Sequence, residues 1–204
     1  MREVDLSEAI EVLRQGEILA YPTETFYGLG VDIAQPKAWE ALFRLKGREA
    51  AKAVSLLMPD RKQFESYILN KQSNILKLID VFLPGPLTLV VRASPQVPRQ
   101  VTSEGGWVGL RLSSHSLASA LASGFGSPLT TTSANPSGAP SASTARDLNR
   151  YYGDHNEVYY LPGGDLPPSL GSTVIRVEED RLELLREGDI PFADIATLWS
   201  KEST

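Results

Sequence analysis

The sequence predicts an α/β fold, because helix-like and strand-like segments are interspersed along the whole chain. The chain has 204 residues, of which 42% are hydrophobic and 22% are charged. A chain of this size and composition can bury one sizeable core. No long Gly/Ser-rich or Pro-rich linker divides it, so we expect a single domain over residues 1–204.

Each element follows from periodicity and from the residues that end it. Ser7 is expected to cap a first helix that ends at Gly16, and the strand 17–21 follows and stops at Pro22. Apolar residues at helical spacing predict a second helix over 37–46. The same signals predict strands over residues 54–58, 87–91, 107–112, 129–132, 158–161, 173–177 and 182–185, and helices over 60–68, 73–82, 114–123 and 192–199.

The segment 133–145 is expected to be a loop of small polar residues. Such a loop allows the backbone to approach a ligand closely, and it follows directly on a predicted buried strand. A plain flexible connection is the alternative interpretation.

The amino-acid composition excludes several kinds of catalytic and metal-binding site. The chain has no cysteine, which excludes a disulfide framework, a thiol nucleophile and a cysteine zinc site. His115 and His155 are the two histidines, so a histidine-rich metal site is not expected, and we expect Mg²⁺ only as carried with a nucleotide. No apolar run reaches the length of a membrane span, and acidic residues occupy the first helix. We therefore expect a cytoplasmic protein without an export signal.

A basic segment stands out in an acidic chain. Residues 44–62 contain six Lys or Arg against two acids, whereas the whole chain has a formal net charge of -5. An isolated basic region suits a small polyanion held at one site better than a long nucleic acid. The alternative is a solvated basic helix end. The basic residues are Arg44, Lys46, Arg48, Lys52, Arg61 and Lys62.

Several further residues are candidates for ligand contact. Thr23 lies just beyond a predicted strand end, where α/β sheets usually present ligand-binding groups. The sequence contains no phosphate-binding glycine loop of the Gly-x4-Gly-Lys-Ser/Thr type, so phosphates would need side chains such as Lys46 and Arg186. Arg111 falls inside a predicted strand and needs an anionic partner there, either a ligand or an internal salt bridge. His115 is a candidate either to cap the following helix or to orient a substrate, and for a lone histidine we expect the structural role.

Seven short motifs occur in order along the chain. They are Tyr21–Gly30, Lys46-x-Arg48 with Lys52, Pro84–Thr88, Val108–Arg111 with His115, Thr132–Gly138, Ser172–Val174, and Arg186-x-Gly188-x-Ile190. In this order and spacing, the motifs resemble the YrdC family of threonylcarbamoyl-AMP synthases over about residues 8–190.

The resemblance implies a twisted mixed sheet with flanking helices and a large concave, positively lined cavity. It implies an enzyme that joins L-threonine, bicarbonate and ATP into threonylcarbamoyl-adenylate and pyrophosphate. A separate transferase would then place the threonylcarbamoyl group on the adenosine just 3′ of the anticodon in tRNAs that read codons beginning with A.

The family roles transfer to matching positions of this sequence. The resemblance implies a nucleotide and carbamate site formed by Lys46, Arg48, Ser133 and Asn135. It implies additional phosphate contacts from Lys52 and Arg186. It also implies that threonine and its carboxylate are held by Thr23, Arg111 and Ser172.

The chain departs from the family pattern at several positions. Glu49 and Ala53 replace prolines in the segment after Lys-x-Arg, Ser113 replaces another proline, and Arg176 replaces an expected acid. Two alternative functions remain open at this point. One is a module that binds double-stranded RNA or tRNA, and the other is a nucleotide-binding paralogue with different chemistry.

Overall fold

The computed structural model describes residues 1–47 and 54–200. The strands are β1 Arg2–Glu3, β2 Ile18–Pro22, β3 Tyr27–Gly30, β4 Ser55–Leu57, β5 Leu87–Arg92, β6 Trp107–Arg111, β7 Leu129–Ser133, β8 Val158–Tyr160, β9 Thr173–Glu178 and β10 Arg181–Arg186. The α-helices are α1 Leu6–Arg14, α2 Pro36–Lys46, α3 Arg61–Ser66, α4 Ser73–Phe82, α5 Ser116–Phe125, α6 Ala145–Tyr152 and α7 Phe192–Ser200.

The strands of the described ranges form one ten-stranded sheet in the order β1-β8-β2-β3-β7-β4-β6-β5-β9-β10. The sheet is mixed, since β2 pairs parallel to β8 but antiparallel to β3, and β5 pairs parallel to β9 but antiparallel to β6. The predicted α/β class and the twisted mixed sheet with flanking helices are therefore confirmed. No helix in the described part of the chain is long and apolar enough to cross a membrane.

The two faces of the sheet are covered unequally. Alternate residues of the strands, such as Ile18 and Leu56, enter a core cluster that contains apolar residues of α2, α3, α4, α6 and α7. Their neighbours Leu19 and Leu57 enter a second, smaller cluster with α1 and α5. Among the described residues, that second cluster contains no residue of β5, β6, β9 or β10, so the apolar packing of α1 and α5 does not extend over these strands.

Most predicted elements are present, with ends that agree or are shifted by one or two residues. The predicted cap of the first helix is wrong. Asp5, rather than Ser7, caps α1: its side chain accepts from Glu8 N, and the Glu8 side chain accepts from Asp5 N. This reciprocal pair satisfies two backbone donors at once, which a lone serine cannot do.

The sequence signals missed β1, β3 and α6. Strand β3 is the Tyr-Gly-Leu-Gly segment, whose glycines have low strand propensity. Packing requires the second of these glycines: a Cβ on Gly30 would lie 2.8 Å from a Tyr21 ring carbon and 3.0 Å from Thr130 O. Gly30 is therefore needed where β3 pairs with β2, because the Tyr21 ring, fully buried in the neighbouring strand, occupies the space that a side chain would need.

Replacing Gly30 with Ala should lower the free energy of unfolding by about 1–3 kcal/mol, because the new methyl group overpacks a buried site. Gly28→Ala is the matched control, since its Cβ would meet the same Tyr21 ring at 3.3 Å. Urea unfolding of both variants measures the difference. Equal losses would contradict this packing account of β3.

Candidate active site

A cavity of about 250 Å³ is lined by residues of the turn between β2 and β3 and of strands β3, β7, β4, β6, β5, β9 and β10, next to the region that α1 and α5 cover. Most of its lining consists of hydroxyls and small groups, and its two charged groups among the described residues are guanidiniums. No carboxylate lies among the described residues that line it, so the cavity favours an anionic ligand. The lining residues are Thr23, Thr25, Phe26, Tyr27, Gly28, Val54, Ser55, Thr88, Arg111, Thr131, Thr132, Ser133, Ser141, Gly171, Ser172, Val174 and Arg186.

Arg111 ends β6 and is only 7% exposed. Its Nη2 donates to Thr25 Oγ1 at 2.9 Å and lies 3.5 Å from Thr23 Oγ1. Glu24 Oε1 lies 2.9 Å from the same nitrogen. All three partners belong to the turn between β2 and β3. The internal salt bridge considered from the sequence is therefore present, and Arg111 lines the cavity as well.

The turn that holds Arg111 is itself organised by Thr23. The Thr23 hydroxyl donates to Phe26 O at 2.6 Å and accepts from the backbone N–H of Thr25 and of Phe26, each at 3.2 Å. These bonds satisfy polar groups that the turn would otherwise bury unpaired. The Pro-Thr-Glu-Thr segment therefore has one fixed conformation beneath the guanidinium.

Arg186 supplies the second positive charge of the cavity. Its Nη2 donates to Ser172 O at 2.7 Å and to Ser172 Oγ at 3.0 Å, and its Nε donates to Ser172 O at 3.1 Å. Thr88 Oγ1 lies 2.9 Å from Ser172 Oγ. Burial, and secondarily the positive charge of Arg111, lower the pKa of Arg186. An anion in the cavity would relieve both effects, because it would compensate two partly desolvated cations.

A β-bulge gives Arg186 its direction. Leu184 pairs with Ile175, but Arg186 pairs with Val174, so one residue of β10 is extra at this point. Ile175 is in the core, whereas Val174 lines the cavity. Without the extra residue, Arg186 would pair one position further and would point toward the core face.

The end of β7 and the loop beyond it are held by Lys46. Lys46 is 5% exposed, and its Nζ donates to Ser133 O at 2.6 Å and to Asn135 O at 2.9 Å. Ser133 Oγ donates to Asn135 Oδ1, and the Asn135 amide donates to Pro136 O at 3.0 Å and to Ala139 O at 2.6 Å. The predicted loop after Thr132 is thus an ordered structure rather than a plain connection.

His115 has the structural role predicted for it. Its Nδ1 accepts from Leu117 N at 3.3 Å, which makes it the N-cap of α5. Burial lowers the pKa of His115, while the negative charge of Glu24 acts in the opposite direction. The folded protein therefore favours the neutral imidazole, the form that can accept the cap hydrogen bond.

The structure brings most of the predicted site residues to one cavity. Thr23, Arg111, Ser133, Ser172 and Arg186 line it. Lys46 and Asn135 are not among its lining residues and bond to the backbone or side chain of the loop at Ser133 instead. Arg48 and Lys52, with the departures Glu49 and Ala53, lie outside the described residues.

Sequence reasoning missed two groups at the site. Glu24 and Thr25 both contact Arg111, and both lie in the same Pro-Thr-Glu-Thr run as Thr23. An acid beside two hydroxyls at a strand end was the available signal, because an arginine in a strand requires such a partner.

Two of the departures from the family pattern have visible partners. Arg176 pairs with Glu183 across β9 and β10, and its guanidinium carbon lies 5.2 Å from the centre of the Trp107 ring. Ser113 donates to Glu24 Oε2. Among the described residues, no group of three or more His, Asp or Glu is arranged to hold a metal ion.

A family model and individual relatives all place the chain in the same family. The model for Sua5, YciO and YrdC proteins, described as "Telomere recombination", matches residues 11–188. The threonylcarbamoyl-AMP synthase of Halorhodospira halophila (strain DSM 244 / SL1) is 36% identical over 162 residues, which cover 79% of this chain and 84% of the relative. The protein of the same name in Vibrio cholerae serotype O1 is 34% identical over 186 residues, covering 90% and 97%.

Solved structures agree in fold. The crystal structure of P. abyssi Sua5 complexed with L-threonine has a TM-score of 0.88 and 31% identity over 97% of this chain. This chain spans only 60% of the length of that protein. The crystal structure of E. coli YciO has a TM-score of 0.83 at 24% identity, covering 93% of this chain and 95% of that one, and this likeness shows the fold alone.

Acid should destabilise the wild type more than a His115→Asn variant. Because the folded-state pKa of His115 lies below the unfolded value of about 6.5, the unfolded state binds more protons. The contribution of His115 to stability is fully present above its unfolded-state pKa, and it is lost as pH falls through its folded-state pKa. Asparagine keeps an N-cap acceptor but does not titrate. Urea unfolding at pH 7.5 and 5.5 measures the effect, and His155 is common to both proteins. An equal loss in both would refute this role.

Proposed function

The chain belongs to the Sua5/YciO/YrdC family, and from this premise we propose that it is a threonylcarbamoyl-AMP synthase. It uses L-threonine and ATP as substrates, with bicarbonate or carbon dioxide as the source of the carbamoyl carbon. The observation that carries the proposal is Arg111, a buried cation held on one side by an acid and two hydroxyls and facing a cavity that has no acid among its described lining residues.

Threonine is proposed to bind at the Arg111 end of the cavity. A guanidinium fixed by Thr25 and Glu24 is already oriented, so a ligand carboxylate loses little free energy in ordering it. The hydroxyls of Thr23 and Ser172 are within the same lining and can contact the polar groups of an amino acid. The L-threonine with which P. abyssi Sua5 was crystallised is a ligand of this chemistry.

The nucleotide is proposed to bind toward Ser133 and Arg186. Arg186 provides a positive charge for the phosphates, and the Ser133 hydroxyl is part of the cavity wall. Lys46 supports this end by holding the carbonyls of Ser133 and Asn135. On the motif match alone, Arg48 and Lys52 are proposed as further phosphate contacts. Magnesium would enter as the Mg²⁺ complex of ATP, as part of that substrate.

The reaction requires positioning more than a side-chain nucleophile. The threonine amine attacks carbon dioxide, forming a C–N bond, and loses a proton to give a carbamate. A carbamate oxygen then attacks the α-phosphorus of ATP, the bond to the β-phosphate bridge breaks, and pyrophosphate leaves. Negative charge accumulates at both steps, and fixed guanidinium and ammonium groups stabilise it without reorganisation. The mixed anhydride that results is reactive, so a transferase that modifies tRNA is proposed to consume it.

Pyrophosphate release from Mg²⁺ and ATP should require both L-threonine and bicarbonate, and mass spectrometry should detect threonylcarbamoyl-adenylate. Omitting either substrate is the internal control. Release without threonine would contradict the proposal and favour a paralogue that hydrolyses or ligates otherwise. A folded protein that bound RNA in a salt-sensitive way but did not bind ATP would favour an RNA-binding module.

Replacing Arg111 with Lys should raise the KM for threonine by about 10-fold to 100-fold, because an ammonium cannot make the bidentate contacts of a guanidinium. Steady-state pyrophosphate release at varied threonine measures this. Arg99→Lys, at an exposed arginine, is the matched control and should leave the KM within about twofold. A wild-type KM in Arg111→Lys would remove Arg111 from the threonine site.

A further inference from the structure

Glu24 lies behind Arg111 rather than in the cavity. Its side chain is 14% exposed, and it is absent from the described residues that line the cavity, whereas Arg111 is among them. Glu24 therefore acts on a ligand through Arg111 rather than by contact. The carboxylate and the guanidinium nitrogen Nη2 are 2.9 Å apart.

The ion pair is held by charge rather than by an aligned hydrogen bond. Glu24 Oε1 has no hydrogen-bond partner among the described residues, although it is close to Arg111 Nη2. The hydroxyl of Thr25 takes the aligned bond from that nitrogen. An ion pair without such a bond has little directional preference, so the direction of the guanidinium depends on where the carboxylate is fixed.

Ser113 fixes the carboxylate. Its hydroxyl donates to Glu24 Oε2 and accepts from the backbone N–H of His115 at 3.2 Å. Ser113 is 5% exposed, so this bond is shielded from water. The hydroxyl thereby ties the Glu24 carboxylate to the start of α5. In the family pattern that the chain resembles, proline stands at this position, and proline has no hydroxyl to make the bond.

We propose that Glu24 is a positioning residue for threonine binding, and that Ser113 sets its place in this chain. Together they hold the Arg111 guanidinium in the orientation that receives the ligand carboxylate. This inference rests on the proposed function, since it assigns the ligand at Arg111 as the threonine carboxylate. It adds two residues that are not among the described residues lining the cavity. Glu24 contacts Arg111, and Ser113 contacts Glu24.

The strongest competing expectation is that Glu24 weakens the binding of threonine instead of supporting it. A carboxylate next to Arg111 also repels an incoming carboxylate, so Glu24 would weaken binding if charge alone mattered. The buried geometry favours positioning, because removing Glu24 leaves Arg111 without its ion-pair partner, and only the neutral hydroxyls of Thr23 and Thr25 then hold the guanidinium. The two expectations predict opposite changes in the KM for threonine.

The test compares Glu24→Gln, Ser113→Ala and Ser113→Thr with wild type, with Ser114→Ala as the control at an exposed neighbouring serine. Pyrophosphate release is measured at varied threonine with saturating ATP, and then at varied ATP. We expect the KM for threonine to rise about 10-fold or more in Glu24→Gln and about 3-fold to 10-fold in Ser113→Ala, in line with the loss of one charged or one neutral contact. Ser113→Thr, which keeps the hydroxyl, should restore the KM to within about twofold of wild type. The KM for ATP should change less than about twofold in every variant.

Three outcomes would overturn the inference. A lower KM for threonine in Glu24→Gln would show that the carboxylate competes with the ligand. If the KM for threonine and the KM for ATP rose together in Glu24→Gln and Ser113→Ala, and Ser113→Thr did not restore them, the two residues would only stabilise the fold around the site. Wild-type KM values in Ser113→Ala would show that Ser113 does not set the position of Glu24, and this result would stand even if Glu24→Gln failed to fold. If the wild-type protein does not use threonine at all, the proposed function fails, which is a distinct result.

Discussion

The burial of Arg111 at the end of a central strand is the constraint on which the site depends. A desolvated guanidinium costs several kcal/mol unless charge and hydrogen bonds compensate it. Glu24, Thr23 and Thr25 provide that compensation from one turn. The turn is placed because β2 and β3 pair with each other, and because β3 also pairs with β7. The same pairing brings Ser133 opposite Gly28, so the cation and the loop after β7 meet at one cavity.

Unequal coverage of the sheet makes this arrangement possible. Helices α1 and α5 cover one end of a sheet face, and the cavity on the rest of that face is lined mainly by hydroxyls, small groups and two arginines. The bulge in β10 aligns Arg186 with this face. Lys46 comes from the opposite direction, at the end of α2, and its ammonium holds the loop after β7. Positive charge therefore reaches the site from separate elements, which suits a ligand with a carboxylate and several phosphates.

The sequence was sufficient for the fold class and for most elements, because apolar periodicity and Pro or Gly stops are local signals. It failed at β3, where tertiary packing of Tyr21 against Gly30 overrides the low strand propensity of glycine. Motif matching predicted ligand contacts for Thr23, Arg111, Ser133, Ser172 and Arg186, which all line the cavity, but it assigned no role to Glu24. The roles implied by the resemblance are direct ligand contacts, whereas Glu24 contacts Arg111 instead. The sequence indicates that Arg111 needs an anionic partner, but the 2.9 Å distance between Glu24 Oε1 and Arg111 Nη2, from residues far apart in sequence, identifies that partner as Glu24.

If the proposed function is right, the Arg111 guanidinium receives the carboxylate of threonine in a cavity shared with the nucleotide. A crystal structure of the protein with L-threonine and a nonhydrolysable ATP analogue would locate both ligands. We expect a threonine carboxylate oxygen within about 3.2 Å of an Arg111 nitrogen, with the phosphates nearer to Ser133 and Arg186. The assignment would be contradicted if the carboxylate of the bound L-threonine lay at Arg186, while Arg111 contacted only Glu24 and the hydroxyls of Thr23 and Thr25.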